Sequence, residues 1–371
     1  MENAYDVAAA FRRIEVDLIR SMIRNFEHHK AMEAAEGIEW TQWQIEQLAA
    51  LEEFKRRNQT KYAGEFKDIN ESIERIILHA RQIGMDEQEM QILNAIKRGA
   101  KLTKGGMTGE FFKINDRKVN AMIQATADHT KEAEVSILRV SEDAYRQTIF
   151  NAQMYASTGG TYEKAVDMAT KDFLRRGIQC IRYRNNTYHS LEEYSEMALR
   201  TANTRAYLTG EGEMRNAWGE HLVIMNKRNC ACPKCTVWCG KVLIDDVWSG
   251  GSAKDGNYPL MSTAIGEGLY HPNCKDIHTT YFPDLADLIE EPTSDERRAM
   301  EVRDEVENEY NNAQKQIRSY ERLSKYSLDE ENKTNYQYKL SQWETRAADL
   351  KEKFPTLGKE KGRIENKLKP S

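Results

Sequence analysis

The sequence predicts a mainly α-helical protein: a long N-terminal helical region, a small α+β module and a C-terminal antiparallel helical hairpin. Three observations carry this reading. All seven prolines lie at or after Pro233, so the first 232 residues contain none. Six of the glycines fall between Gly240 and Gly268. Apolar residues recur at steps of three and four on both sides of that stretch. Because Pro and Gly disfavour helix interiors, this asymmetry separates a helical arm from a compact, turn-rich segment.

In the arm, Val7, Phe11, Ile14, Leu18 and Met22 line one helix face, and Ile69, Ile73, Ile76, Ala80 and Ile83 repeat the pattern before Gly84. Between residues 25 and 65 the pattern is weaker, with Trp40, Trp43 and Leu48 on an apolar face. Residues 101–115 read as a loop or short hairpin, followed by a helix over 117–155 that ends before Ser157-Thr158-Gly159-Gly160. Thr161 is a candidate N-cap for a helix with a stripe of Ala165, Met168, Ala169 and Phe173, stopping at Gly177. Residues 178–189 alternate as a hairpin, with Asn185-Asn186 at the turn. Ser190 to Glu193 reads as a capping box that opens a helix running towards Gly210.

Beyond the Gly-rich segment, Pro283 and Pro292 mark a short linker. One helix begins near Ser294 and carries Ala299, Val302, Val306, Tyr310, Ala313, Ile317 and Tyr320. A second begins at a capping box over Ser327 to Glu330 and carries Tyr336, Leu340, Trp343, Ala347 and Leu350. Alternating steps of four and three make a heptad-like seam, hence an antiparallel hairpin, which Phe354-Pro355 ends. The expected units are residues 1–160, helical; 161–290, the α+β module; 291–356, the hairpin; and 357–371, a flexible tail. Residues 358–371 hold five basic and two acidic residues.

At 371 residues the chain is long enough to bury a sizeable core. Mean hydropathy is −0.76 and no run nears the ~18 apolar residues of a membrane span. The amphipathic, acid-bearing start lacks a continuous apolar core and does not read as a secretory signal. A net charge of −5 is too balanced for an obligate nucleic-acid coat.

The chemistry sits in the cysteines. Of six, Cys230, Cys232, Cys235 and Cys239 fall within ten residues. In a reducing compartment such a cluster reads as metal ligands before disulfides. Cys232-x2-Cys235 and His271-x2-Cys274 form two short-spaced pairs, each able to aim both ligands at one point from a single tight turn. A Cys3His set closes a tetrahedron around zinc with no open position, which makes the ion structural. Cys230, Cys239 and His278 remain alternative ligands. Buried Cys and His with no metal is the plainer reading of the same residues.

The pattern does not match known zinc catalysis. A deaminase needs His-x-Glu ahead of its Cys pair and a zincin needs HExxH, and neither occurs. A treble-clef nuclease would need a general-base histidine and a second metal, for which His278, Asp276 and His221 are available. No GxxxxGK[ST] or GxGxxG phosphate cradle occurs. The Gly-rich 250–256 stretch reads as a loop, His28-His29 as a solvated pair, and Trp218, Trp238 and Trp248 as the core of the small module.

Residues 198–223, 232–251 and 258–283 resemble the phage minor capsid protein 2 family, which is related to the Mu-type head morphogenesis proteins. Trp238-x-Gly240-Lys241-Val242 and Gly268-Leu269-x-x-x-Asn273-Cys274 are the specific parts. The resemblance covers residues ~160–350, while residues 1–155 match only in being helical. It implies a minor structural protein of a tailed-phage head, associated with the portal vertex and acting in assembly or in DNA packaging or ejection. Its partners would be the portal or major capsid protein, with weak contact to packaged DNA, no membrane and no small-molecule substrate. It would reside in the virion, and in the host cytoplasm during assembly. Some family members carry Gln at the position of Cys239, which favours Cys232 and Cys235 as ligands. The main alternative is a zinc-containing nuclease or toxin-like protein; a DNA-organising module is a third, disfavoured by the acidic balance.

Overall fold

A computed structural model describes residues 1–36, 40–105, 109–156, 161–183, 186–227, 232–271, 274–285 and 289–357. Three long helices build the N-terminal region: α1 (Ala4–Glu36), α2 (Trp40–Lys97) and α3 (Gly109–Ala156). Their apolar stripes face inward. Val7, Phe11, Ile14, Leu18 and Met22 are buried on α1, and Ile69, Ile73, Ile76 and Ala80 on α2.

The 58 residues of α2 include the weakly patterned stretch. Aromatic residues of α1 and α2 meet one ring of α3 there. Tyr145 packs edge-on against Phe26 and Phe54, with centroids 5.0 and 5.4 Å away. Such rings cover more than one neighbour, so they blur a simple helical period. The side chain of Trp40, like that of His29, lies outside the described residues.

Two expected boundaries shift. The helix does not stop near Gly84, because this glycine serves close packing inside α2. Residues 109–115 are helical, against the expected loop or hairpin. Gly105 and Gly106 lie upstream of them in the sequence, and Asn115 is buried. Ser157 to Gly160 lie outside the described residues.

Helix α4 (Tyr162–Arg176) is capped by Thr161, whose hydroxyl accepts from the Lys164 amide at 3.4 Å. Its buried face holds Tyr162, Ala165, Val166, Asp167, Thr170 and Leu174, whereas Met168 is 52% exposed. The face is rotated from the purely apolar stripe because Asp167 is needed inside. Asp167 accepts from the Leu328 amide (3.1 Å), Asn332 Nδ2 (2.8 Å) and the Ser327 hydroxyl.

Strands β1 (Gln179–Arg182) and β2 (Tyr188–Ser190) form the expected antiparallel hairpin. Asn186 at its turn has φ 61°, while Asn185 lies outside the described residues. Helix α5 (Leu191–Ala217) starts at Ser190, which accepts from the Glu193 amide at 3.2 Å. The Glu193 carboxylate instead meets His189 Nδ1 and Lys315 Nζ, both at 3.2 Å. The helix then runs past Gly210.

Three short strands, β3 (Leu222–Met225), β4 (Val242–Ile244) and β5 (His278–Thr280), make an antiparallel sheet in the order β4-β3-β5. Short helices α6 (Pro233–Thr236) and α7 (Met261–Gly266) lie between them in the chain.

The hairpin is α8 (Ser294–Tyr326) and α9 (Glu330–Lys353). Arg346 meets Glu309 while Tyr336 meets Tyr320, so the helices run antiparallel. The second cap is Asp329, which accepts from the Asn332 amide at 2.9 Å, while Ser327 ends α8 instead. On α9 the seam residues Tyr336, Ala347 and Leu350 are buried. On α8, Val302 is 47% exposed and Met300 is buried against Cys239, because this end of the helix also packs on the module. Among the described residues no helix is long and apolar enough to cross a membrane.

Candidate metal centre

Two tight turns bring the predicted ligands together. Cys232 precedes Pro233 at the start of α6, and its carbonyl accepts from the amides of Cys235 (3.0 Å) and Thr236 (2.9 Å). Pro fits the first helical position because its missing N–H would have had no partner there. The second pair repeats the device: the Cys274 amide donates to the His271 carbonyl at 2.9 Å. The turn is entered through Tyr270, held in the left-handed region at φ 55°.

Cys232 Sγ lies 3.1 Å from His271 Nε2, and Cys235 Sγ lies 3.6 Å from Cys274 Sγ. A disulfide would need about 2.05 Å. Two thiolates sharing a tetrahedral zinc stand about 3.8 Å apart, given Zn–S near 2.3 Å. These donors lie close enough that they could hold a metal ion. Cys232, Cys235 and His271 form one group of mutually close donors, and Cys235, Cys274 and Asp276 a second, with Cys235 shared. Interaction with Cys274, then burial, holds the Cys235 thiol far above its ordinary range. A bound cation reverses that balance, since a coordinating thiol is deprotonated outright.

Two of the alternative ligands, Cys239 and His278, are engaged elsewhere. Cys239 directs its thiol to the Cys235 carbonyl and packs against Met300. Cys230 lies outside the described residues. His278 has both ring nitrogens engaged: Arg215 Nη2 donates to Nε2 at 3.0 Å, and Nδ1 lies 2.7 Å from the Tyr270 hydroxyl. Since arginine only donates, Nε2 is the acceptor and Nδ1 carries the proton. Burial, then the Arg215 charge, holds His278 well below the ordinary histidine range.

The nuclease constellation is likewise divided among different partners. His221 bonds Ser249 at 3.1 Å, His278 bonds Arg215 and Tyr270, and Asp276 sits beside Cys274. Trp238 and Trp248 are buried, as expected of the module's core, whereas Trp218 is half-buried and packs instead against the cluster that includes Ile92, Ala95 and Ala100 around the end of α2.

Asp276 was named in the sequence only as part of a nuclease, and its approach to the thiols appears on folding. Arg215 escaped sequence reading altogether. Fully buried on α5, it donates to Asp245 Oδ2 (2.8 Å), to His278 of β5 and to Gln88 Oε1 of α2 (3.4 Å). Burial opposes its charge, and Asp245 and Glu211 more than offset this. A buried arginine needs such carboxylates. One side chain thereby joins the strand that follows the two Cys/His turns to the long helical arm.

Beside Arg215, Arg81 of α2 grips Glu213 with two bonds, of 3.1 and 2.6 Å, and pairs with Asp116 of α3 at 2.8 Å. Residues 210–213 thus alternate glycine and glutamate: Gly210 faces α2, Gly212 faces Trp248, Glu213 binds Arg81 of α2, and Glu211 lies 3.7 Å from Arg215 and 3.8 Å from His278.

No curated protein and no solved structure matches the chain. The family profile described as Phage minor capsid protein 2 matches residues 2–349, extending the resemblance through the whole helical arm. With nearly the full chain covered, the protein belongs to the phage minor capsid protein 2 family.

Proposed function

We propose that the protein is a non-enzymatic structural component of a tailed-phage head, docked at or near the portal vertex in few copies and acting in head assembly or in DNA packaging or ejection. The observation that carries this is the family match over residues 2–349. Its partners are the portal protein, the major capsid protein or both, and its sites are the virion and, during assembly, the host cytoplasm. The basic tail adds weak contacts to packaged DNA that fade as salt rises.

In this reading residues 1–160 form the docking arm, 161–290 the head-morphogenesis-like module and 291–356 a bracing hairpin. Cys232, Cys235, His271 and Cys274 hold one structural zinc, supported by the two matching turns and the 3.6 Å and 3.1 Å donor contacts. Four protein donors leave the ion no open position. For a module whose sheet beside the ligand turns has three strands of three or four residues, metal binding supplies folding free energy of about 10 kcal/mol or more.

Quantitative mass spectrometry of purified, DNA-filled particles tests the head role. A few copies per particle beside the portal is the expected result. Complete absence, with abundant protein in the infected cell, overturns it. Divalent-dependent nicking of plasmid that is lost with the protein's own fold would replace it with the nuclease alternative.

A further inference from the structure

A cavity of about 270 Å³ opens where the end of α4, the β1–β2 hairpin, the start of α5 and the middle of α8 meet. The chain as a whole carries −5, yet the walls here hold five cations, Arg175, Arg176, Lys315, Arg318 and Arg322, against Glu15, Glu192 and Glu193. The cavity therefore has an excess of two positive charges.

Several of these groups are committed to the fold. Lys315 pairs with Glu193 at 3.2 Å, and Glu193 also meets His189. Glu15 accepts from the Ile178 amide at 3.0 Å. Arg322 donates to the carbonyls of Leu174 (2.8 Å) and Arg175 (3.1 Å), and Ser319 donates to the Arg175 carbonyl at 2.8 Å. These bonds cover the negative end of the α4 dipole. The positive start of α5, at Ser190, opens onto the same cavity.

Three guanidiniums remain uncommitted. Arg318 is half-buried and faces Glu192 electrostatically, but makes no hydrogen bond or ion pair among the described residues, and neither do the side chains of Arg175 and Arg176. Partial burial of a charge without a bonded partner is costly. A guanidinium fork matches the oxygens of an anion. Three forks exceed the two oxygens of a carboxylate but suit a tetrahedral oxyanion, and a dianion cancels the excess of two charges.

The geometry points to a phosphate-binding pocket in which Arg175, Arg176 and Arg318 hold the oxygens of a phosphate group, whether free, on a nucleotide or within a nucleic-acid strand. The site is separate from the metal turns and does not depend on the proposed role in the head.

Calorimetric titration of the full chain at low ionic strength, with inorganic phosphate as the probe and acetate as comparison, tests it. Phosphate binds saturably at one site per chain and acetate does not. Arg318→Ala and Arg176→Ala each weaken binding about tenfold or more, the loss expected for a hydrogen-bonded charge. Arg298→Ala, an exposed arginine of α8 outside the cavity, leaves it unchanged. Circular dichroism checks that each variant is folded, and the exposed Arg176 carries the test even if Arg318→Ala perturbs packing. No saturable phosphate binding, equal binding of acetate, or equal loss with Arg298→Ala overturns the proposal. Competition by a 5′-nucleotide points to a phosphomonoester, and competition by an oligonucleotide without terminal phosphates to a phosphodiester. Both sources support the assignment.

Discussion

Gly210 of α5 approaches α2 so closely that a Cβ on it would stand 2.0 Å from the carbonyl oxygen of Arg81. The contact is reciprocal, since a Cβ at Gly84 would stand 2.2 Å from the carbonyl oxygen of Tyr207. The two glycines let the backbones cross where side chains would hold them apart. That approach brings Arg81 to Glu213, Tyr207 to Glu87 and Arg215 to Gln88.

Two effects oppose each other in Gly210→Ala. Helix propensity alone would stabilise by about 1 kcal/mol. Overpacking against backbone that cannot rotate away costs about 1–3 kcal/mol or more. The clash is with main chain on both sides, so overpacking wins. Thermal unfolding is expected to show a lower Tm for Gly210→Ala and Gly84→Ala, whereas Gly64→Ala, with open space around its Cβ position, raises it.

Replacing Arg215 by Met leaves Asp245 and Glu211 buried without their cation. Breaking a buried pair from one side costs about 3–5 kcal/mol. Chemical denaturation should register a loss of that size. A double variant, Arg215→Met with Asp245→Asn, should recover part of it, because one unpaired charge is removed along with its partner.

For the metal centre, the purified protein should carry about one zinc per chain, in keeping with a closed four-ligand site. Cys235→Ser and His271→Ala should each release it and open the module locally, while α1, α2 and α3 persist. Metal analysis paired with circular dichroism checks this. Full zinc retention with unchanged helix content in both variants would contradict the assignment.

Glu134 gives a pH signature. Burial raises its carboxyl to about 7, against the weaker opposing effects of the Asn70 hydrogen bond and Lys131. Between the ordinary glutamate value and about 7 the folded chain holds a proton that the unfolded chain has released. Its stabilising contribution is therefore complete below the unfolded value and lost as pH rises through about 7. Glu134→Gln keeps an acceptor for Asn70 Nδ2, now 2.8 Å away, without the charge. Its Tm should match the parent near pH 4 and exceed it increasingly towards pH 8.

Local and periodic features of the fold were legible before folding. The stripe from Val7 to Met22, the Thr161 and Ser190 caps and the β1–β2 hairpin depend on neighbours within a few residues. So does the prediction of two ligand turns, since Cys232 with Cys235 and His271 with Cys274 each close one turn. Their spacing predicted that the two turns would meet, and the fold sets Cys235 3.6 Å from Cys274 across 39 positions.

What only the tertiary structure decided are the residues whose meaning lies in a distant partner. Gly84 and Gly210 read as helix ends because glycine lowers helix propensity, yet here each accommodates the carbonyl of another helix. Asp167 interrupts an apolar stripe because the α8–α9 turn, more than 150 positions away, presents amide donors to it. Arg215 looks like any charge on a helix until Asp245, His278 and Gln88 converge on it. Periodicity records which face turns inward, because burial repeats with the helix. It holds no record of which backbone or charge will be waiting there, and that complementarity exists only once the chain has folded.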